Sequence, residues 1–180
     1  MNDHRDEIEN AAKLYELDPD LVEGLVQVES GGDQTAWNPE GQYRYFWNVA
    51  TGKPFRKVTE KEISNEYPPD DFPCLKGDPD QEWWGQQASW GLMQVMGAVA
   101  RERGYKAPYL GGLLNDVDAA LDVGCKHLGL LLKLVRGDVA RALAVYNGGM
   151  RGNEKRPLRN QKYADRVMAA RIVVIHRRGA

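Results

Sequence analysis

Glu29 is the residue of this 180-residue chain best placed for acid–base chemistry. It lies eight positions after Leu21 and four after Leu25, so the three share one face of a helix. That face is apolar, and a carboxylate on it is costly unless paired or protonated. Burial raises the pKa of such a carboxyl by disfavouring the anion. A glutamate poised this way can protonate a leaving oxygen near neutral pH. Periodicity alone favours a second reading, in which Glu29 ends the helix and pairs with an arginine.

Three short clusters accompany it. Glu29-Ser30 closes one predicted helix, Gly91-Leu92-Met93-Gln94 follows Ser89-Trp90 and opens another, and Ala144-Val145-Tyr146-Asn147-Gly148-Gly149 closes a third. Taken singly, the second reads as a helix start with core Leu and Met, the third as a C-cap. In this order they resemble the soluble lytic transglycosylases, which share the goose-type lysozyme fold. That family's pattern is Glu-Ser, then Gly-Leu-Met-Gln, then Ala-Tyr-Asn-Gly/Ala-Gly, then a tyrosine near the start of a later helix. Here the later tyrosine is Tyr163, and the resemblance spans about Leu14 to Arg171 outside one insertion.

The resemblance implies a peptidoglycan-cleaving enzyme with Glu29 as its single acid/base. Ser30 would support the helix end, Met93 and Gln94 would contact N-acetylated sugars, Tyr146 and Asn147 would bracket the reacting sugar, and Tyr163 would add a wall or a hydrogen bond. Ser89 precedes the glycine-led motif and joins the substrate-binding candidates with an open role. The implied reaction cleaves the MurNAc–GlcNAc β-1,4 bond and forms 1,6-anhydroMurNAc, without cofactor or metal, on peptidoglycan glycan strands as partner. Two rivals stand beside it. A goose-type hydrolase would need a further carboxylate, for which Asp33 and the acids from Glu40 to Glu82 are candidates. A non-catalytic glycan-binding module would use the aromatic residues alone. The first two motifs lie much further apart than in typical members, an arrangement that resembles some phage-encoded ones. The expectation is therefore a phage particle component, a phage lysis enzyme or a protein exported by other means, acting on the bacterial wall.

These residues must be held by helices. Periodicity predicts one over about Arg5 to Glu16, a second from the Asp18-Pro19 start to Glu29, and a third from Gly91 to about Arg103. A long apolar helix is expected from Asp116 to Gly137, a shorter one from Asp138 to Val145, and a last one from about Gln161 to His176. Between Trp37 and about Ala88 aromatic residues mix with proline and aspartate turns, which reads as short helices or a small hairpin. Its inner part, about 40–88, is the insertion, expected to be ordered, with aromatic side chains facing a glycan or a small core of their own. No strand alternation stands out and no repeat recurs. The class is mainly α, a single domain over residues 1–180, and the resemblance implies that this helical domain is lysozyme-like.

Bulk properties exclude other classes. At 42% hydrophobic and 28% charged residues with a net charge of −2, nothing points to nucleic acid. No apolar run approaches the ~20 residues of a membrane span, and Met1–Asn10 is too polar for a signal peptide. Arg166, Arg171, Arg177 and Arg178 read as a solvated basic face. Cys74 and Cys125 are expected as free thiols, the three histidines lack ligand spacing, and a monomer is expected.

Overall fold

The computed structural model describes residues 4–179. Met1–Asp3 of the polar start lie outside the described residues. In chain order it forms α1 (Arg5–Leu14), α2 (Pro19–Glu29), β1 (Trp37–Pro39), β2 (Trp47–Asn48), β3 (Lys53–Pro54), α3 (Glu60–Ser64) and α4 (Pro79–Gln86). Then come β4 (Ala88–Trp90), β5 (Val95–Met96), α5 (Gly97–Glu102), a 3₁₀ turn (Leu110–Leu114), α6 (Val117–Leu134), α7 (Val139–Gly148) and α8 (Gln161–Arg178). The mainly α class is as expected, and no described helix is long and apolar enough to cross a membrane. The chain divides into two compact units, residues up to 33 with those from 124 onwards, and residues 34–123.

The first unit is helical. Asp18 caps α2 by accepting from the Asp20 amide at 2.9 Å, with Pro19 at the first helical position. Leu21, Val22, Leu25 and Val26 are buried as α2 lies along α8, which returns Ala164, Val167 and Val174. Four such side chains, at about 1.5–3 kcal/mol each, outweigh the cost of drawing one carboxyl part-way out of water. Arg171 of α8 donates to Asp18 at 2.8 Å and ties the far end of the pair. α7 packs on α8 through the same unit.

Besides a hairpin of the kind expected, the second unit contains a three-stranded sheet that the sequence does not announce. β1, β4 and β5 form an antiparallel sheet in the order β1-β4-β5, with Trp37 opposite Trp90 and Asn38 opposite Ser89. β2 and β3 form a hairpin. Strands of two or three residues are too short to show alternation. Gly91–Gln94 is accordingly not the start of a helix but the turn joining β4 to β5, and α5 begins only at Gly97. Gly91 and Gln94 have φ of 67° and 46°, left-handed values at which a helix cannot run. The 40–88 segment folds as short helices and a hairpin around Phe46, Val58, Ile63, Phe72 and Trp83. Phe46 stacks on Trp83 at 4.2 Å and Phe72 meets it edge-on at 4.9 Å, the two favoured aromatic geometries.

Candidate active site

Glu29 is the last residue of α2 and is half-buried. α2 stops there because Ser30 turns its hydroxyl back to the Val26 carbonyl at 3.2 Å and accepts from the Gly32 amide at 3.2 Å. Gly31 and Gly32 then take left-handed backbone. The Glu29 carboxyl is thus fixed at a helix end and accepts a hydrogen bond from the Tyr163 hydroxyl. Its pKa is raised above the ordinary value of about 4.3, chiefly by burial, against which the Tyr163 hydrogen bond and the Arg166 charge pull down. Tyr163 is buried at the first turn of α8, and burial with the neighbouring Glu29 charge drives its own pKa up, so it stays a donor. Tyr146, near the end of α7, is held neutral in the same way, by burial first and Glu29 second. Its ring lies 5.2 Å from that of His127 on α6. Glu29, Tyr163 and Tyr146 therefore form one cluster, a carboxyl with two un-ionised phenols beside it.

Asn147 is exposed one residue further on, and its side chain is positioned by a network of asparagines. Its Oδ1 accepts from Asn160 Nδ2 at 2.7 Å. Asn153, fully buried, donates to the Gly149 carbonyl at 2.8 Å and the Ala144 carbonyl at 3.2 Å, and accepts from the Asn160 amide at 3.0 Å. The Asn160 side chain also packs close over Gly148, the last residue of α7, where a Cβ would sit 2.4 Å from its Oδ1. Asn153 thus clamps the end of α7, carrying Tyr146 and Asn147, to the start of α8, carrying Tyr163. Asn153→Ala is expected to lose about 2–3 kcal/mol, because buried carbonyl and amide groups are left unpaired. Melting should drop by roughly 4–12 °C, whereas the exposed Asn147→Ala barely moves it; equal melting of Asn153→Ala and the parent would disprove the clamp.

Ser89, Met93 and Gln94 belong to the second unit. The buried Ser89 donates to Gln94 Oε1 at 2.9 Å, and Gln94 Nε2 donates to the carbonyls of Ala36 and Gly91, each at 2.9 Å. The glutamine side chain thereby stitches its own strained turn, a backbone cost of the kind that collects at working sites. Met93 has no exposed surface and lies in the core beside Leu92. Sequence reading took Arg166 as part of a solvated basic face, whereas its charge acts on Glu29, and it gave no place near the site to Asn153, Asn160 or His127. Arg166 stands three residues after Tyr163 and so on the same helix face, a signal that could have found it; the asparagine network has none. Cys74 and Cys125 are free thiols. Among the described residues no group of three or more His, Cys, Asp or Glu side chains is arranged to hold a metal ion.

Residues 6–168 match the family model described as Transglycosylase SLT domain. A search of curated proteins gave no match.

Proposed function

The chain belongs to the transglycosylase SLT domain family, whose members are lytic transglycosylases of peptidoglycan, and from that premise we propose that it cleaves the MurNAc–GlcNAc β-1,4 bond with Glu29 as general acid and then base. The observation that carries this reading is the Glu29 carboxyl, half-buried at a helix end with its pKa raised and the Tyr163 hydroxyl upon it. Protonated Glu29 gives its proton to the glycosidic oxygen as the C1–O bond breaks and GlcNAc leaves with a free 4-hydroxyl. The substrate's 2-acetamido group stabilises the cationic centre. Glu29, now a carboxylate beside two neutral phenols, takes the proton of the MurNAc C6 hydroxyl as that oxygen attacks C1. The product is 1,6-anhydroMurNAc, no water is consumed, and Glu29 ends protonated as it began. The attack is intramolecular, which carries a large effective-molarity advantage over free water.

Most glycosidases need two carboxylates. The anhydro route needs only Glu29, because the attacking hydroxyl belongs to the substrate itself. Ser89 and Gln94 join Ser30, Tyr146, Asn147 and Tyr163 as the proposed substrate-binding set, and the whole chain acts as one catalytic domain. Mass spectrometry of muropeptides released from purified walls tests the reading: anhydro products lighter by one water support it, reducing-end MurNAc shows hydrolysis, and no release refutes both.

The pH dependence has a definite sign. Activity needs protonated Glu29, so it should fall as pH rises through the raised folded pKa. The same shift makes this group's contribution to stability complete below the unfolded value of about 4.3 and lost as pH climbs through the folded one. Tyr163→Phe removes a hydrogen bond that favours the anion, so the alkaline limb of the activity profile should move to higher pH. A limb that stays in place or moves to lower pH in this variant would contradict the role given to the Tyr163 hydroxyl.

A further inference from the structure

On the second unit, Trp37, Trp84, Trp90 and Tyr109 open onto one groove of about 220 Å³, completed by Gln81, Gly85, Leu110 and Gly111. Three of these rings keep about half their surface open: Trp84 46%, Tyr109 49% and Trp37 54%. They are nonetheless held in place. The indole N–H of Trp90 donates to the Gly85 carbonyl at 2.8 Å and that of Trp84 to the Glu66 carbonyl at 3.1 Å. Trp37 and Trp90 face each other across β1 and β4 with ring centres 6.0 Å apart and planes at 45°. With both of those N–H groups engaged by the backbone, what the groove offers is ring faces. Strand alternation sets Trp37 and Trp90 on one face of the sheet and Asn38 and Ser89 on the other. The groove therefore lies on the face opposite the Ser89–Gln94 pair, outside the motif residues.

Exposed, immobilised aromatic rings gathered in a concavity mark a binding surface. The lining carries no charged side chain, so an ionised peptide stem would find no counter-charge there. Eight residues line it, far fewer than the roughly 20–30 per side of a stable protein interface. A pyranose ring meets both conditions: its C–H face packs on an aromatic face, its hydroxyl and amide groups point to the rim where Gln81 stands, and it is neutral. We infer that this groove is an accessory binding site for the uncharged, β-1,4-linked N-acetylhexosamine backbone of the wall polymer. It holds the strand on the sheet face opposite the Ser89–Gln94 pair. The choice of polymer rests on the proposed peptidoglycan activity; the groove itself does not.

The test uses the full chain carrying Glu29→Gln, labelled with ¹⁵N and titrated with tetra-N-acetylchitotetraose. The indole N–H signals of Trp84 and Trp90 should shift. A Trp37→Ala/Trp84→Ala chain of unchanged circular dichroism should then lose about tenfold in retention on purified sacculi, the scale of an aromatic contact, while Trp84→Phe stays near the parent. Indole signals that ignore the saccharide overturn the proposal, as does undiminished retention of the double variant. So does a dimer in sedimentation velocity that the two alanines disperse, since the groove would then be a self-interface. If muropeptides are never released yet the indoles still shift and retention still falls, the cleavage reading fails and the groove stands.

Discussion

Replacing Glu29 with glutamine should lower the rate of wall cleavage roughly 10²–10⁴-fold, the range of a lost acid–base catalyst, while the protein stays folded. Glutamine is isosteric, and its amide oxygen can still accept from the Tyr163 hydroxyl, so the hydrogen bond that anchors this side chain survives. The proton is what disappears. Because it is transferred only in the transition state, the loss should fall on kcat, with KM for soluble fragments little changed. Stability should move the other way or not at all. At neutral pH the half-buried carboxyl bears a desolvation cost that raises its pKa, and a neutral amide carries less of it. A folded glutamine variant with unchanged or higher Tm and near-zero turnover is the expected pair of results. A folded variant that still clears walls at the parental rate would remove Glu29 from the mechanism.

The half-buried place of Glu29 at the end of α2 was legible from the apolar periodicity of Leu21, Val22, Leu25 and Val26; its proposed chemical role comes from the order of the motifs. The ends of α2, α6 and α7 were legible for a similar reason: Asp18-Pro19, Asp116 and Asp138 are helix-start residues whose physics is local. What was not legible depends on distant partners. Gly91-Leu92-Met93-Gln94 reads as a helix start because Leu92 and Met93 are apolar neighbours, yet a hydrogen bond from the Gly91 amide to the Ala36 carbonyl at 2.8 Å makes it a strand-to-strand turn. No window of the sequence contains both residues. Met93 shows the limit of motif transfer from the other side: its place in the motif suggests contact with sugar, and its side chain is entirely within the core. The insertion divides its aromatic residues between two tasks that composition cannot separate. Trp83 is fully buried against Phe46, while its chain neighbour Trp84 points to the groove.

Arg101→Met should destabilise the protein by about 3–5 kcal/mol, the usual cost of leaving one member of a buried ion pair alone. Arg101 of α5 meets Glu82 of α4 at 2.6 Å, and the two side chains are 0% and 2% exposed. Its guanidinium also donates to the carbonyls of Tyr105 at 2.9 Å and Ala107 at 2.8 Å, so methionine would strand both along with the carboxylate. Glu82 would keep only the Gln86 amide, at 2.9 Å. The pair matters beyond its own energy because of where it stands. α4 runs directly into β4 and α5 follows directly from β5, so the pair joins the two helices that bracket the Ser89–Gln94 turn. A calorimetric Tm lower by roughly 6–20 °C should therefore come with weaker cleavage, although neither residue is assigned a chemical step. The double change Glu82→Leu with Arg101→Met separates charge from packing, since two apolar side chains of similar volume leave no ion unpaired. It should recover most of the lost Tm, short of the carbonyls that Arg101 had satisfied. A single Arg101→Met chain that melts with the parent would show that water reaches Glu82 and that the pair does not clamp α4 to α5.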